Sequence, residues 1–387
     1  MEKTFAKKGV KAIVITTLLN EHFISKVIGK SKTNDNKIHV QTIEFPSTEA
    51  SLSGGCENTD SVPSLDLVHA FCMATGLLQD PLEQLLLKER PNCIVANIFF
   101  PWAIDATAKF GIPRLVFHGN GFFSLCADTC TMLYVPFKDV SFDFESFLIP
   151  NLPDHLRNVL GRKAWHIGPL SLCYKDSEEK AHRGKEASID RHECLNWLET
   201  KKPNSVIYIC FGSLTNLPDS QLREIAMGLE ASGQQFMWVV RKNKEDGVEW
   251  LPDGLEKRME GKGLIIRGWA PPVLILEDKA IGAFVTQCGW NSTLEAVSVG
   301  VPMITWPFIA DQFFNEKLVT EVLKFGVPVG AKAWAGVGGD IVRWDAMEKA
   351  VKRIMTGEEA IEMKNRTKVL SELAKGQWKK EDPHIRI

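Results

Sequence analysis

The sequence predicts an α/β protein built from two doubly wound units. Three observations carry that prediction. Short runs rich in β-branched residues alternate with segments of helical apolar spacing; the alternation breaks over residues 137–163, where Pro150 and Pro153 follow Pro136 in irregular chain; and it then restarts. Strands separated by helices pair in parallel, because the helix must carry the chain back over the sheet before the next strand begins. The break divides the chain into residues 1–160 and residues 161–387.

In the first unit, residues 10–17 and 38–45 read as strands on their β-branched content. Residues 65–88 carry Leu67, Phe71, Leu77, Leu78, Leu82, Leu85 and Leu86 at helical spacing. Residues 93–96 form a short apolar strand. Residues 101–110 fit a helix with Pro101 in its first turn and Gly111 at its end, and 114–117 a further strand.

The second unit gives clearer signals. Residues 194–200 end a helix, 201–204 turn, and 205–211 are a continuous apolar strand running into Gly212 and Ser213. A helix over 217–233 starts at Pro218-Asp219-Ser220, carries Leu222, Ile225, Ala226 and Leu229, and stops at Gly233. Strands follow at 236–240, 264–266, 283–286 and 302–305, with helices at 272–276, 292–299 and 312–324.

Composition excludes several classes. Lys and Arg number 46 against 48 Asp and Glu, a net charge of −2 with no basic block, so neither a nucleic-acid nor an anionic-membrane surface is expected. The nine cysteines contain no CxxC pair and read as reduced thiols; neither a disulfide frame nor a metal site is implied. No signal-type apolar core follows the first charged residues, and no run of about 18 apolar residues occurs, so a cytoplasmic protein without a membrane span is expected.

The chemistry concentrates in residues 286–295, Thr-Gln-Cys-Gly-Trp-Asn-Ser-Thr-Leu-Glu: a strand end, a glycine turn and a helix start. Free backbone N–H groups and the positive dipole end make such a start an anion site, to which Asn291 and Ser292 add side-chain donors. Glu295, one turn beyond Asn291, suits a pair of sugar hydroxyls. These ten residues alone fit equally a capping cluster with a surface glutamate.

A wider window resembles the signature box of the plant family 1 UDP-dependent glycosyltransferases. It opens with Trp269-Ala270-Pro271, contains Cys288-Gly289-Trp290-Asn291-Ser292 and Glu295, and closes with Trp306-Pro307, Asp311-Gln312 and Phe313-Phe314-Asn315-Glu316. The resemblance extends to Phe211-Gly212-Ser213, to residues 165–169, to Phe99-Phe100-Pro101-Trp102 and to residues 116–119. It looks nearest to the branch that glycosylates flavonoids, triterpenoid or steroid aglycones and hormones.

That resemblance implies two Rossmann-like domains facing a cleft, the GT-B fold, and an inverting transfer of a hexose, glucose by expectation, from a UDP-sugar to a hydroxyl of a small apolar acceptor. The UDP-sugar is a co-substrate; no cofactor or metal is called for, and a monomer is expected. By the same resemblance Trp269 stacks on uracil and the Ala270 backbone bonds its edge. Glu295 holds the ribose, Asn291, Ser292 and Ser213 meet the diphosphate, and Asp311 and Gln312, with the Trp290 backbone, hold the sugar.

The sequence also departs from the family pattern. Its first strand matches the family's second, so the amino-terminal domain is expected to lack a strand and the loop carrying the base histidine. Asn97 stands at the position of the orienting aspartate, and Gln287 at that of a phosphate-contacting histidine. His118 is the substitute base the chain offers. The stretch before Trp165 is shorter than the family's, and the chain stops short of the family's closing helix. Two other readings stay open: a remnant that binds a nucleotide sugar without turnover, and a nicotinamide dehydrogenase, which fits poorly because no GxGxxG follows the early strands.

Overall fold

The computed structural model describes residues 2–29, 37–62, 67–139, 148–149, 168–173, 180, 188, 191–212, 217–241, 250–332 and 341–379. They fall into two compact units, one over Met1–Gly119 and one built from residues between Asn120 and Ile387. The boundary expected at residues 160 and 161 lies outside the described residues.

The first unit alternates α1 (Glu2–Lys7), β1 (Ala12–Thr17), α2 (Leu18–Gly29), β2 (Ile38–Ile43), α3 (Val68–Gly76), α4 (Gln79–Glu89), β3 (Ile94–Asn97), α5 (Ala103–Lys109) and β4 (Arg114–Phe117). The apolar spacing over 65–88 resolves into two helices rather than one. Gly76 ends α3, and the apolar pattern runs on through Leu77 and Leu78 into α4. Strand β1 pairs in parallel with β2, and β3 with β4, as two separate two-stranded sheets. Their cores are small: Leu82 and Leu86 of α4 pack with Ala103 and Ala106 of α5, while Val95, Leu115 and Val116 of the strands stay exposed.

The second unit begins with α6 (Phe122–Tyr134), an element the sequence pattern does not announce. It continues with α7 (Arg191–Glu199), β5 (Val206–Cys210), α8 (Asp219–Ser232), β6 (Gln235–Val240), α9 (Leu255–Arg258), β7 (Gly263–Arg267), α10 (Pro272–Leu276), β8 (Ile281–Thr286), α11 (Trp290–Val299), β9 (Met303–Thr305), α12 (Gln312–Lys317), β10 (Gly326–Pro328), α13 (Trp344–Met355) and α14 (Gly357–Lys379). Beyond α12 the chain takes a wider π turn over Leu318–Val322, so the helix expected over 312–324 changes pitch halfway.

All six strands are parallel, in the order β7-β6-β5-β8-β9-β10. Because strand side chains alternate between faces, each strand feeds two cores. Ile207, Ile209, Phe236, Trp238 and Val285 join Leu222, Ile225 and Leu229 of α8 and Met347, Val351 and Ile354 of α13 on one face. Val206, Tyr208, Met237 and Phe284 join Leu198 of α7, Ile275 of α10 and Ala296 of α11 on the other, with Tyr208 stacked on Phe284 at 5.1 Å. A sheet covered on both faces needs strands apolar throughout, which is why β5, β6 and β8 read as continuous runs.

This double burial concentrates stability in the second unit. Leu229→Ala, which empties a fully buried site on α8, is expected to cost about 2–5 kcal/mol in urea unfolding.

Candidate functional site

The strand order reverses between β5 and β8, and ligands of open α/β sheets sit at the carboxyl ends of strands beside such a reversal. Both strands end there in tight turns. After β5 comes Gly212 at φ +71°, and after β8 come Gln287, Cys288 at φ +64° and Gly289. The left-handed backbone favours glycine at 212, and a Cβ there would fall 2.3 Å from Gln287 Nε2, so the Gln287 side chain packs directly over it. Gln287 Oε1 accepts from Thr286 Oγ1 at 2.8 Å, which leaves Nε2 as the donor of that amide.

Helix α11 starts directly from the second turn. Its N-cap, Gly289, is extended and supplies no side-chain cap, and the first helical bond runs from Thr293 N–H to Gly289 O at 3.0 Å. The N–H groups of Trp290, Asn291 and Ser292 therefore have no acceptor within the helix, the arrangement that receives a phosphate. The Trp290 ring packs on the backbone ahead of α6: a Cβ on Gly121 would lie 2.9 Å from it.

One turn along α11, Glu295 is 8% exposed, which removes the surface-glutamate alternative. Burial, with the charge of Glu295 adding to it, pushes the Cys210 thiol up, so the carboxylate lies close to the end of β5. The turn after β7 carries Gly268, Trp269 and Ala270. Ser188 holds it twice: its N–H donates to Trp269 O at 2.8 Å and its Oγ accepts from Trp269 N–H at 2.9 Å. Gly268 sits at φ +120° with no room for a Cβ against Ser188. Ala270 is buried in the same core as Ile275, Cys288 and Ala296, so this turn and the start of α11 share one packing layer.

The third segment follows β9. Ala310 at φ +52° brings the chain round to Asp311. Gln312 Oε1 accepts from the N–H groups of Phe308 and Ile309 at 2.8 and 3.1 Å, closing the turn. Asp311 Oδ2 accepts from Asn315 Nδ2 at 3.0 Å; burial raises this carboxyl above the ordinary aspartate range and the Asn315 bond pulls it partly back. Next to it, Glu316 is buried against β9 and accepts from Thr305 Oγ1 at 2.7 Å. Burial pushes the Glu316 carboxyl up to about 7.

The structure thus joins Gln287, the start of α11 and Glu295 at the switch point, and ties Asp311 to the same turn through Asn315. Asn315 and Cys288 stand in the signature box without a role assigned from sequence, and Gly121 lies outside it. An Asn four residues after Asp311 on a helix is a visible pairing signal, but a cysteine in left-handed backbone carries none. Ser213 lies outside the described residues.

Asn97 and His118 belong to the first unit. They stand at the carboxyl ends of β3 and β4, where Asn97 pairs with Phe117. The Asn97 amide is engaged locally, its Oδ1 accepting from Phe99 N–H at 3.1 Å. His118 Nδ1 is buried and has no hydrogen-bond partner among the described residues, and burial holds its imidazole below the ordinary histidine range. No cluster of metal-ligating side chains occurs among the described residues, and none of their helices is long and apolar enough to cross a membrane.

A switch-point sheet end, an uncapped helix start and a buried glutamate one turn along it thus come together in the second unit. The family model for UDP-glucoronosyl and UDP-glucosyl transferases matches residues 176–374. Scopoletin glucosyltransferase of Nicotiana tabacum is 48% identical over 427 residues, covering 97% of this chain and 90% of that protein. UDP-glucose flavonoid 3-O-glucosyltransferase 7 of Fragaria ananassa is 48% identical, covering 96% of this chain and 88% of that protein. The crystal structure of Glycyrrhiza uralensis UGT73P12 complexed with glycyrrhetinic acid 3-O-monoglucuronide superposes with a TM-score of 0.89 at 34% identity, covering 98% and 88% of the two chains. The chain belongs to the UDP-glycosyltransferase family, and its fold is that family's GT-B fold.

Glu316 gives the site a pH signature in stability. A carboxyl held near 7 when folded, against an ordinary 4.5, favours the folded state only while protonated; that contribution is full below about 4.5 and is lost as pH rises through about 7. Glu316→Gln is therefore expected to be more stable than the parent at pH 8 by about 1–3 kcal/mol and to match it at pH 4.5. Urea unfolding at the two pH values checks this.

Proposed function

We propose that this chain transfers a hexose, with glucose as the leading donor sugar, from a UDP-sugar to a hydroxyl of a small apolar metabolite, with inversion at the anomeric carbon. The observation that carries the reading is the uncapped start of α11 at the β5–β8 switch point, with Glu295 buried one turn along the helix. The N–H groups of residues 290–292 and the helix dipole stabilise the diphosphate as the anomeric bond to it breaks, so departure of UDP needs no metal. Glu295 accepts from the ribose hydroxyls. Trp269 stacks on the uracil, and the Ala270 backbone bonds its edge. Ser213, Gln287, Asn291 and Ser292 donate to phosphate. The Trp290 backbone, Asp311 and Gln312 hold the hexose. Residues 1–160 serve the acceptor and 161–387 the donor, in a cytoplasmic, monomeric enzyme. The acceptor is a phenol or alcohol of the size met in relatives named for scopoletin and flavonoids.

One observation favours a second reading, donor binding without turnover. The Asn97 amide is spent on Phe99 N–H and carries no charge to stabilise an imidazolium, and no carboxylate bonds His118 among the described residues. If turnover occurs, His118 takes the hydroxyl proton.

Calorimetry with UDP and UDP-glucose, followed by turnover with phenolic and terpenoid acceptors, separates the readings. Glu295→Ala is expected to weaken UDP binding about tenfold or more, the effect of losing a hydrogen bond to a charged group. Unchanged UDP affinity in that variant overturns the donor site. Donor binding with no product from any acceptor selects the second reading.

A further inference from the structure

Asn315 of α12 is fully buried, and its side chain makes three hydrogen bonds to three different parts of the second unit. Its Nδ2 donates to Cys288 O at 2.8 Å and to Asp311 Oδ2 at 3.0 Å; its Oδ1 accepts from Ser124 Oγ of α6 at 2.5 Å. The orientation of the amide follows from these partners. A carbonyl and an ionised carboxylate can only accept, so both must meet the NH2 end, and the oxygen is left to face α6, where a hydroxyl can donate.

Both groups held by Nδ2 sit at left-handed backbone turns. Cys288 is a non-glycine residue in left-handed backbone, a conformation that persists only where surrounding contacts impose it. Asp311 follows another such residue, Ala310, and is half-buried. One buried amide thus fixes both the turn that aims the start of α11 and the carboxylate beside it.

We infer that Asn315 is a positioning residue of the donor site, which sets the Asp311 carboxylate for the hexose, with Ser124 fixing the orientation of the Asn315 amide. The inference rests on the reading of Asp311 as a sugar ligand. The groups that bear on the Asp311 charge are the Asn315 amide and the backbone N–H of Asp311 itself, which favour it, and Asp128 of α6, which opposes it; burial first, then the charges of Glu316 and Asp311, raise the Cys288 thiol. With the amide removed, Asp311 keeps its burial and the repulsion of Asp128 and loses the larger of its two donors, so it takes up a proton at higher pH.

The test measures affinities of the full chain for UDP and for UDP-glucose by calorimetry across pH 5–8. Asn315→Ala is expected to weaken UDP-glucose about fivefold or more, to weaken UDP less, and to move the acid-side loss of UDP-glucose binding to higher pH. Ser124→Ala is expected to act in the same direction with a smaller effect. Equal weakening of UDP and UDP-glucose, with no displacement in pH, assigns Asn315 a purely structural role and overturns the inference. If Asn315→Ala does not fold, Ser124→Ala decides, and unchanged UDP-glucose affinity in it overturns the inference. Asp311→Asn separates the two levels. Should it leave UDP-glucose affinity intact, the reading of Asp311 as a sugar ligand fails and the inference with it; should it weaken UDP-glucose while Asn315→Ala does not, the inference alone fails.

Discussion

The second unit depends on one geometric constraint: a parallel sheet that is extended in one direction from β5 and in the other from β8 must leave the carboxyl ends of those two strands side by side and uncovered. The chain fills that gap with backbone rather than side chains. Gly212 lets the β5 turn approach Gln287, and Cys288 takes up left-handed backbone to launch α11 at once. A helix that begins without a capping side chain carries unspent N–H groups into the crevice. The site is therefore a consequence of topology first and of residue chemistry second.

Electrostatics follow the same economy. The chain has a net charge of −2, and in the proposed site a helix end is the local source of positive potential for a diphosphate. The carboxylates around it are treated differently. Glu295 and Asp311 are aimed at hydroxyl-bearing partners in the proposed site, whereas Glu316 is buried against Thr305 and is held near neutrality in pKa by desolvation.

Much of this was legible in the sequence, for reasons that can be named. Strands β5, β6 and β8 are covered on both faces, so their apolar runs were unmistakable, and α8 announced itself through a proline start, apolar spacing and a terminal Gly233. Helix α6 was not legible. Its buried face is made of Ser124, Cys126, Ala127 and Cys130, while Met132, Leu133 and Tyr134 at its end are exposed, which inverts the usual signal. Helix α13 could have been found from Met347, Ala350, Val351 and Ile354, a plain helical stripe. In the first unit the single apolar stretch over 65–88 hid a break at Gly76, because apolar residues continue across the junction.

The sequence by itself determined the family and the α/β fold class and put forward the donor-side residues, because a box of fixed residue types records chemistry that must be met whatever the surroundings. Only the tertiary structure decided how those residues are held. That Glu295 is buried rather than a surface cap, that the Asn97 amide is occupied by Phe99, and that Asn315 joins Cys288, Asp311 and Ser124 all depend on contacts between segments far apart in the chain. Hydrogen bonds across such distances leave no periodicity in the sequence; they exist only once packing against the sheet has brought their partners together.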